Sequence, residues 1–417
     1  MRKIVRSLAN KNFRLLFFGQ TLSITGTWMQ NIALSWLVYR LTGSALLLGI
    51  VGFAGQIPLS IISPFAGVVI DRSNKHKIIL LTQVLSMLQA ILLALLFFSG
   101  TLSIQLIIFL SAFLGLINAF DMTARQAFVS EIVENKHDLG NAIALNSSLV
   151  HVARLIGPSL AGIIIAAWGE GFCFLINAVS YLAVLFSLLM MRIIPKKKKP
   201  SANLLLELKE GLAYAARSHP IRSLLLFMAL MSTIGMSYTI IMPVFAKEVL
   251  RGGPQLLGFL MGITGLGAVI GSIYLASRKS AVGLDRIIGL AAVGMGIGLF
   301  FLAFAKTLLL SSVLIVLIGF AMMVLMSSGN TILQMIVDED KRGRIMSLFI
   351  TAFMGTAPLG SLLAGLIAGR FGVPVTFFAS GLICLVGSAV FFLSLPKLAV
   401  EIKTIYKKLG ILMEEGV

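Results

Sequence analysis

The sequence predicts an all-α polytopic membrane protein, with twelve transmembrane helices in two six-helix halves. Three observations carry this. First, apolar runs of about 20 residues recur from end to end, each long enough to cross a bilayer core of about 30 Å. Second, the 417 residues are 58% hydrophobic and only 12% charged, where a soluble domain is about a quarter charged. Third, "IGPSLAGIIIAAWG" (156–169) aligns without gaps to "LGSLLAGLIAGRFG" (359–372). Gly157, Leu160, Ala161, Gly162, Ile164 and Gly169 thereby recur 203 positions later. Backbone groups have no water partner in hydrocarbon, so the apolar runs must be helices.

Taken in order, the helices are expected at 14–39, 46–70, 78–98, 102–120, 141–167 and 172–191, then at 221–246, 256–276, 287–304, 308–334, 345–369 and 373–395. The first run is too long for a signal-peptide core and no small-residue cleavage site follows it, so it is expected to be retained. Between the sixth and seventh helices lies the one long connection, "RIIPKKKKP" and then "SANLLLELKEGLAYAARSHP". It sets the expected organisation: an N-terminal half (1–191), a basic linker (192–220), a C-terminal half (221–396) and a tail (397–417). Leu204, Leu205, Leu208 and Leu212 recur at helical spacing, so the linker is expected to carry a surface helix. The Lys196–Lys199 run reads either as an orientation signal or as a site for anionic lipid.

Net charge is +18, but its distribution argues against nucleic-acid binding. Only Arg40, Lys247, Arg251, Lys306 and Arg370 fall in loops of one face. Arg154 stands alone deep inside a helix, and the rest of the 34 Lys and Arg residues lie in the other loops, at helix ends and at the termini. The positive-inside bias then puts both termini in the cytoplasm of a cell (inner) membrane protein. A reporter fused within 192–220 should be active only on the cytoplasmic side; activity outside would reject this topology. Cys173 and Cys384 sit in separate apolar runs, and His76, His137, His151 and His219 lack ligand spacing, so neither a disulfide framework nor a metal is implied. No "GxxxxGK[ST]" sequence occurs, so ATP is not the direct energy source. No nucleophile–base pair lies at membrane depth, which argues against an enzyme.

After the second helix comes "GVVIDRSNKHK" (67–77). This resembles the major facilitator superfamily signature: a Gly, three residues, Asp-Arg, then a basic cluster. The resemblance extends over essentially the whole chain through helix number, halves and central loop. Gly67 would allow close backbone approach. Asp71 can meet a helix N-terminus, and Arg72 can pair with Asp121 of "NAFDMTARQAF". In the family such a cluster latches the halves. The alternative is a solvated loop pair of little energetic weight. The second half's counterpart, "GSIYLASRKSAVG", keeps Gly271, Arg278 and Lys279 but has no Asp. The run Gly157-Pro158-Ser159-Leu160-Ala161-Gly162 resembles the antiporter motif of the fifth helix, with Ala153 and Ala161 in place of glycines of the usual pattern. Small residues there would let the fifth helix lie close to a partner in the other half, with Pro158 bending it and Pro358 bending the eleventh. The longer stretch "DMTARQAFVSEIV…NAIALNSSLVHVARLIGPSLAG" is similar to the subgroup that includes the enterobactin exporter and macrolide efflux proteins.

That resemblance implies a cavity lined by the first, fourth, seventh and tenth helices. Polar residues at mid-depth there, among them Trp28, Gln30, Asn31, Tyr238 and Asn330, are candidate substrate contacts, or else helix-packing hydrogen bonds. Arg154 lies about 20 Å beyond Asn141 at 1.5 Å per residue, near mid-membrane. It needs a partner, a wet cavity or an anionic ligand. His151 shares its face. As the helices are drawn, every carboxylate lies in a loop or at a helix end, which leaves His151 as the deep group titrating near neutral pH. His151 is therefore a candidate proton site and Arg154 a candidate anion contact, each with a purely structural alternative. The expected function is a secondary exporter of a small amphiphilic molecule, siderophore-like or drug-like, acting as a monomer in the lipid bilayer without a cofactor. Uptake, lipid flipping and a non-transporting receptor remain as alternatives.

Overall fold

A computed structural model describes residues 6–133, 136–191, 204–278, 280, 282–339 and 341–408. Fifteen α-helices and no strands are present among them. The first six are α1 (Lys11–Thr42), α2 (Ala45–Asp71), α3 (Lys75–Phe98), α4 (Ile104–Ile132), α5 (Lys136–Trp168) and α6 (Glu170–Leu189). The linker supplies α7 (Leu204–Arg217). Then follow α8 (His219–Gly235), α9 (Tyr238–Val244), α10 (Pro254–Ala276), α11 (Leu284–Leu302), α12 (Leu308–Ile336), α13 (Arg342–Ile350), α14 (Ala357–Phe371) and α15 (Val373–Lys408). Eleven stretches are long and apolar enough to span a bilayer. The remaining long helix, α1, has 32 residues but is more polar, carrying Gln20, Gln30 and Asn31 among its serines and threonines.

Helix ends follow local chemistry. Asn10 caps α1 by accepting from the Phe13 N–H, Asn74 caps α3 through Lys77, and Thr307 caps α12 through Leu310. Gly43, at φ 61°, closes α1 in the left-handed conformation that glycine adopts without strain. Three expected helices of the second half differ. The seventh breaks after Gly235 and ends in a π-helical turn at Phe245–Val249. The eleventh is interrupted by another at Thr351–Gly355, with Pro358 near the start of α14, where its missing N–H is tolerated. The twelfth runs on to Lys408, beyond the expected tail boundary at 397.

The chain divides into two compact units. The first joins α1–α6 to Met242–Gly265; the second holds the rest, from α7 to Ile241 and from Leu266 onward. Met242–Gly265 groups with the first unit because glycine contacts hold the start of α10 against α5. A Cβ added at Gly162 would lie 2.7 Å from the Pro254 carbonyl oxygen and 3.1 Å from Gly258 Cα. One added at Gly265 would lie 2.9 Å from Leu155 Cα. Gly258 and Gly262 form a small-xxx-small stripe that allows such approach. The Tyr39 hydroxyl adds a hydrogen bond to Glu248, and Lys247 lies 5.3 Å from the Tyr39 ring centroid. Gly157 faces α1 instead, with a Cβ there only 2.6 Å from Trp28 Cβ. This corrects the expectation that its partner lies in the other half. Its repeat equivalent Gly360 abuts Thr233 of α8 in the second unit, so each glycine meets the first spanning helix of its own half.

In the second unit, α7 is held against α13 and the connection that precedes it. Arg344 pairs with Glu210 at 2.6 Å, and the Tyr214 hydroxyl donates to Asp338 at 2.9 Å. His219 Nδ1 lies 2.9 Å from Glu401 on the extension of α15. Nearby, burial pushes the Tyr406 phenol up to about 12, so it stays protonated in the physiological range. Of the leucines that predicted the surface helix, Leu212 is exposed; the side chains of Leu204, Leu205 and Leu208 lie outside the described residues, as does the Lys196–Lys199 run.

Candidate functional site

A cavity of about 550 Å³ opens within the first unit, walled by α1, α3, α4, α5 and α6. Its surface is amphipathic. Ile24, Met122 and Val150 supply apolar wall, while Asn118, Gln126 and Asn146 supply carboxamides. On α5 it occupies positions up to Val150. His151 follows directly, Arg154 comes one turn beyond Val150, and then the glycine seam runs over Leu155–Gly162.

The strongest electrostatic feature of the wall is Asp121. The helix expected to stop at 120 continues to Ile132, because Asp121 and Arg125 lie one turn apart and pair with each other. Asp121 thus sits about 16 Å from the end of α4 and is only 6% exposed. This corrects the expectation that no carboxylate is deep. Its Oδ1 also accepts from Thr82 Oγ1 and Gln83 Nε2, each at 2.7 Å. Arg72, expected as its partner, is exposed and is not among the groups bonded to Asp121. A Cβ at Gly67 would meet nothing within 4 Å among the described residues, so no close approach uses that glycine here. The Asp71 side chain lies outside the described residues.

Of the expected substrate contacts, Trp28 and Asn31 line the cavity. The Arg154 guanidinium lies 5.5 Å from the Trp28 ring centroid, a cation–π contact that ties the deep charge to the cavity wall. Arg154 and His151 are not themselves lining residues. His151 is half-buried, and its Nδ1 has no hydrogen-bond partner among the described residues. Gln30 departs from expectation. Fully buried, it donates to Gln89 at 3.0 Å and accepts from Asn177 at 2.8 Å, joining α1, α3 and α6. Its amide is consumed by helix packing. Tyr238 is likewise buried in the second unit. Asn330 accepts from Gln334 at 2.5 Å on α12, beside a shallow pocket it shares with Ser327 and Thr331.

Sequence reasoning missed Gln20, Gln83 and Arg125. Their signal was present: Gln20 and Gln83 are carboxamides inside apolar runs, and Arg125 stands four residues beyond an Asp. A buried polar group in a spanning helix must find a partner or line a cavity. Among the described residues no cluster of His, Cys, Asp and Glu could hold a metal.

Residues 5–407 match the family described as transmembrane secretion effector. The staphyloferrin A transporter of Staphylococcus aureus is 27% identical, covering 94% of this chain and 98% of its own length. The multidrug efflux pump Tap of Mycolicibacterium fortuitum is 23% identical over 91% and 95%. Macrolide efflux protein A of Streptococcus pyogenes is 23% identical over 90% and 95%. Among solved structures, a POT family transporter in complex with a thioalcohol-conjugated peptide superposes with a TM-score of 0.75 at 14% identity, covering 93% of this chain and 96% of that one. An inward-facing bacterial homolog of the human lysosomal transporter Spinster gives 0.69 at 15%, over 95% and 98%. These structural likenesses bear on the fold, and the sequence match on the family. The chain belongs to the transmembrane secretion effector family and is a multi-pass efflux transporter of the major facilitator type, not an enzyme.

Proposed function

We propose that this protein exports a small amphiphilic molecule, siderophore-like or drug-like, by alternating access across the bacterial inner membrane, with both termini cytoplasmic and the monomer as the working unit. The observation that carries this is the amphipathic cavity of the first unit. Apolar residues offer non-specific burial, while the amides and the Asp121–Arg125 pair fix orientation. The names of the siderophore and drug transporters among its relatives support the same substrate range.

Arg154 is assigned to attract an anionic group of the substrate. Charge in a low-dielectric setting acts over a longer range than in water, and the Trp28 ring places that field at the cavity edge. His151, one turn away with an idle Nδ1, is assigned to proton coupling. Efflux from cells separates the two roles. Arg154→Ala should lower export of an anionic substrate about tenfold while sparing a cationic drug; unchanged handling of the anion would reject the assignment. His151→Gln should remove the response to an imposed pH gradient; full retention of that response would exclude coupling through His151.

A further inference from the structure

Four polar atoms beside the cavity are idle in a place where idle atoms are rare. Gln20 and Gln83, both cavity-lining, are each 1% exposed. Both ends of the Gln20 carboxamide, the Gln83 carbonyl oxygen and the Arg125 Nε lack a hydrogen-bond partner among the described residues. Buried polar atoms are nearly always paired, so a group left idle calls for a ligand, a water or a second conformation. The neighbouring atoms are already committed. Gln83 Nε2 donates to Asp121, whose other carboxylate oxygen holds Arg125.

The chemistry of what remains is specific. Two idle donors, Gln20 Nε2 and Arg125 Nε, and two idle acceptors, Gln20 Oε1 and Gln83 Oε1, all belong to residues that line the same cavity. The one negative and one positive charge nearby neutralise each other. A carboxylate would suit the donors but be repelled by both carbonyls; an ammonium would do the reverse. An uncharged group that both donates and accepts, a hydroxyl or an amide, answers all four atoms.

We propose that Gln20, Gln83 and Arg125 form a subsite for a hydroxyl- or amide-bearing, uncharged part of the exported molecule. This rests on the reading of the cavity as the transport site and adds a selection rule to it. A site built to hydrogen-bond a hydroxyl discriminates strongly against amphiphiles that lack one, because its buried polar atoms then stay unpaired. Anionic parts of the same molecule are left to Arg154, one turn beyond the cavity.

The test uses the full chain in lipid nanodiscs and two amphiphilic probes: erythromycin, rich in hydroxyls, and tetraphenylphosphonium, which has no hydrogen-bonding group. Gln20→Met keeps the side-chain length and removes the amide. It is expected to raise the erythromycin Kd at least tenfold, to change the tetraphenylphosphonium Kd less than threefold, and to raise the melting temperature of the ligand-free protein, since an unpaired buried amide is removed. Gln20→Asn, which keeps a shorter amide, should fall between. A lower melting temperature with equal loss of both probes would make Gln20 a packing residue or a water anchor and overturn the proposal. Wild-type protein that binds tetraphenylphosphonium but not erythromycin would overturn the subsite and leave the exporter reading standing. Wild-type protein that binds neither probe in nanodiscs and exports neither from cells would overturn both.

Discussion

Gly258→Ala should cut transport at least tenfold and lower the melting temperature, although it adds one methyl group. The new Cβ would run into the Pro158 carbonyl oxygen and lie 2.8 Å from Gly162 Cα and 2.9 Å from Gly162 N. All three are main-chain atoms of α5, so no flexible side-chain tip can move aside. Overpacking a tight core commonly costs about 1–3 kcal/mol, and a clash with backbone belongs at the upper end or beyond. The damage is also functional, because the seam bounds the region where Arg154 and Trp28 meet. Its residues are reciprocal: Gly162 faces Pro254 and Gln255, while Gly262 faces Ser159. Separating the helices to admit a methyl therefore displaces the whole run from Leu155 to Gly162. Gly140→Ala is the control, since a Cβ there meets nothing within 4 Å among the described residues and alanine favours a helix by about 1 kcal/mol over glycine. Wild-type export and melting by Gly258→Ala would remove the seam from the account.

The seam also shows what the sequence could and could not say. Gly157 and Gly162 mark two points made for close approach, because only small residues admit it. Five residues apart at 3.6 per turn, they point about 140° from each other. Gly157 accordingly meets α1 and Gly162 meets α10, but which helix occupies each face is not written in α5. Helix existence was legible throughout, since each apolar run is its own signal. Azimuth was not, because a helix apolar on most sides has no strong periodicity to orient it. Gln30 and Asn31 are adjacent polar residues on α1, yet Gln30 is sealed between α3 and α6 while Asn31 faces the cavity. The end of α4 failed for a related reason. "DMTARQ" reads as a loop by composition, and only the mutual neutralisation of Asp121 and Arg125 makes it tolerable inside a helix.

That neutralisation carries the largest stability effect expected in this protein. Arg125→Ala should destabilise it by about 3–5 kcal/mol, the range for removing one partner of a buried ion pair. The Asp121 side chain is 8% exposed and that of Arg125 is 16% exposed, so bulk solvent screens the pair little. Without the guanidinium, Asp121 keeps two neutral donors, Thr82 and Gln83. Two neutral hydrogen bonds do not replace a counter-charge for a carboxylate this buried. Asp121→Asn combined with Arg125→Gln should recover much of the loss. Asn still accepts at Oδ1 from Thr82 and Gln83, and neither new side chain brings an uncompensated charge. Thermal denaturation in detergent, read as the surviving monodisperse fraction, distinguishes the cases. The expected order is wild type, then the double variant, then Arg125→Ala. An Arg125→Ala protein that melts with the wild type would mean that water in the cavity already solvates Asp121. A double variant no better than the single one would mean that the Arg125 stem, rather than its charge, holds α4 in place.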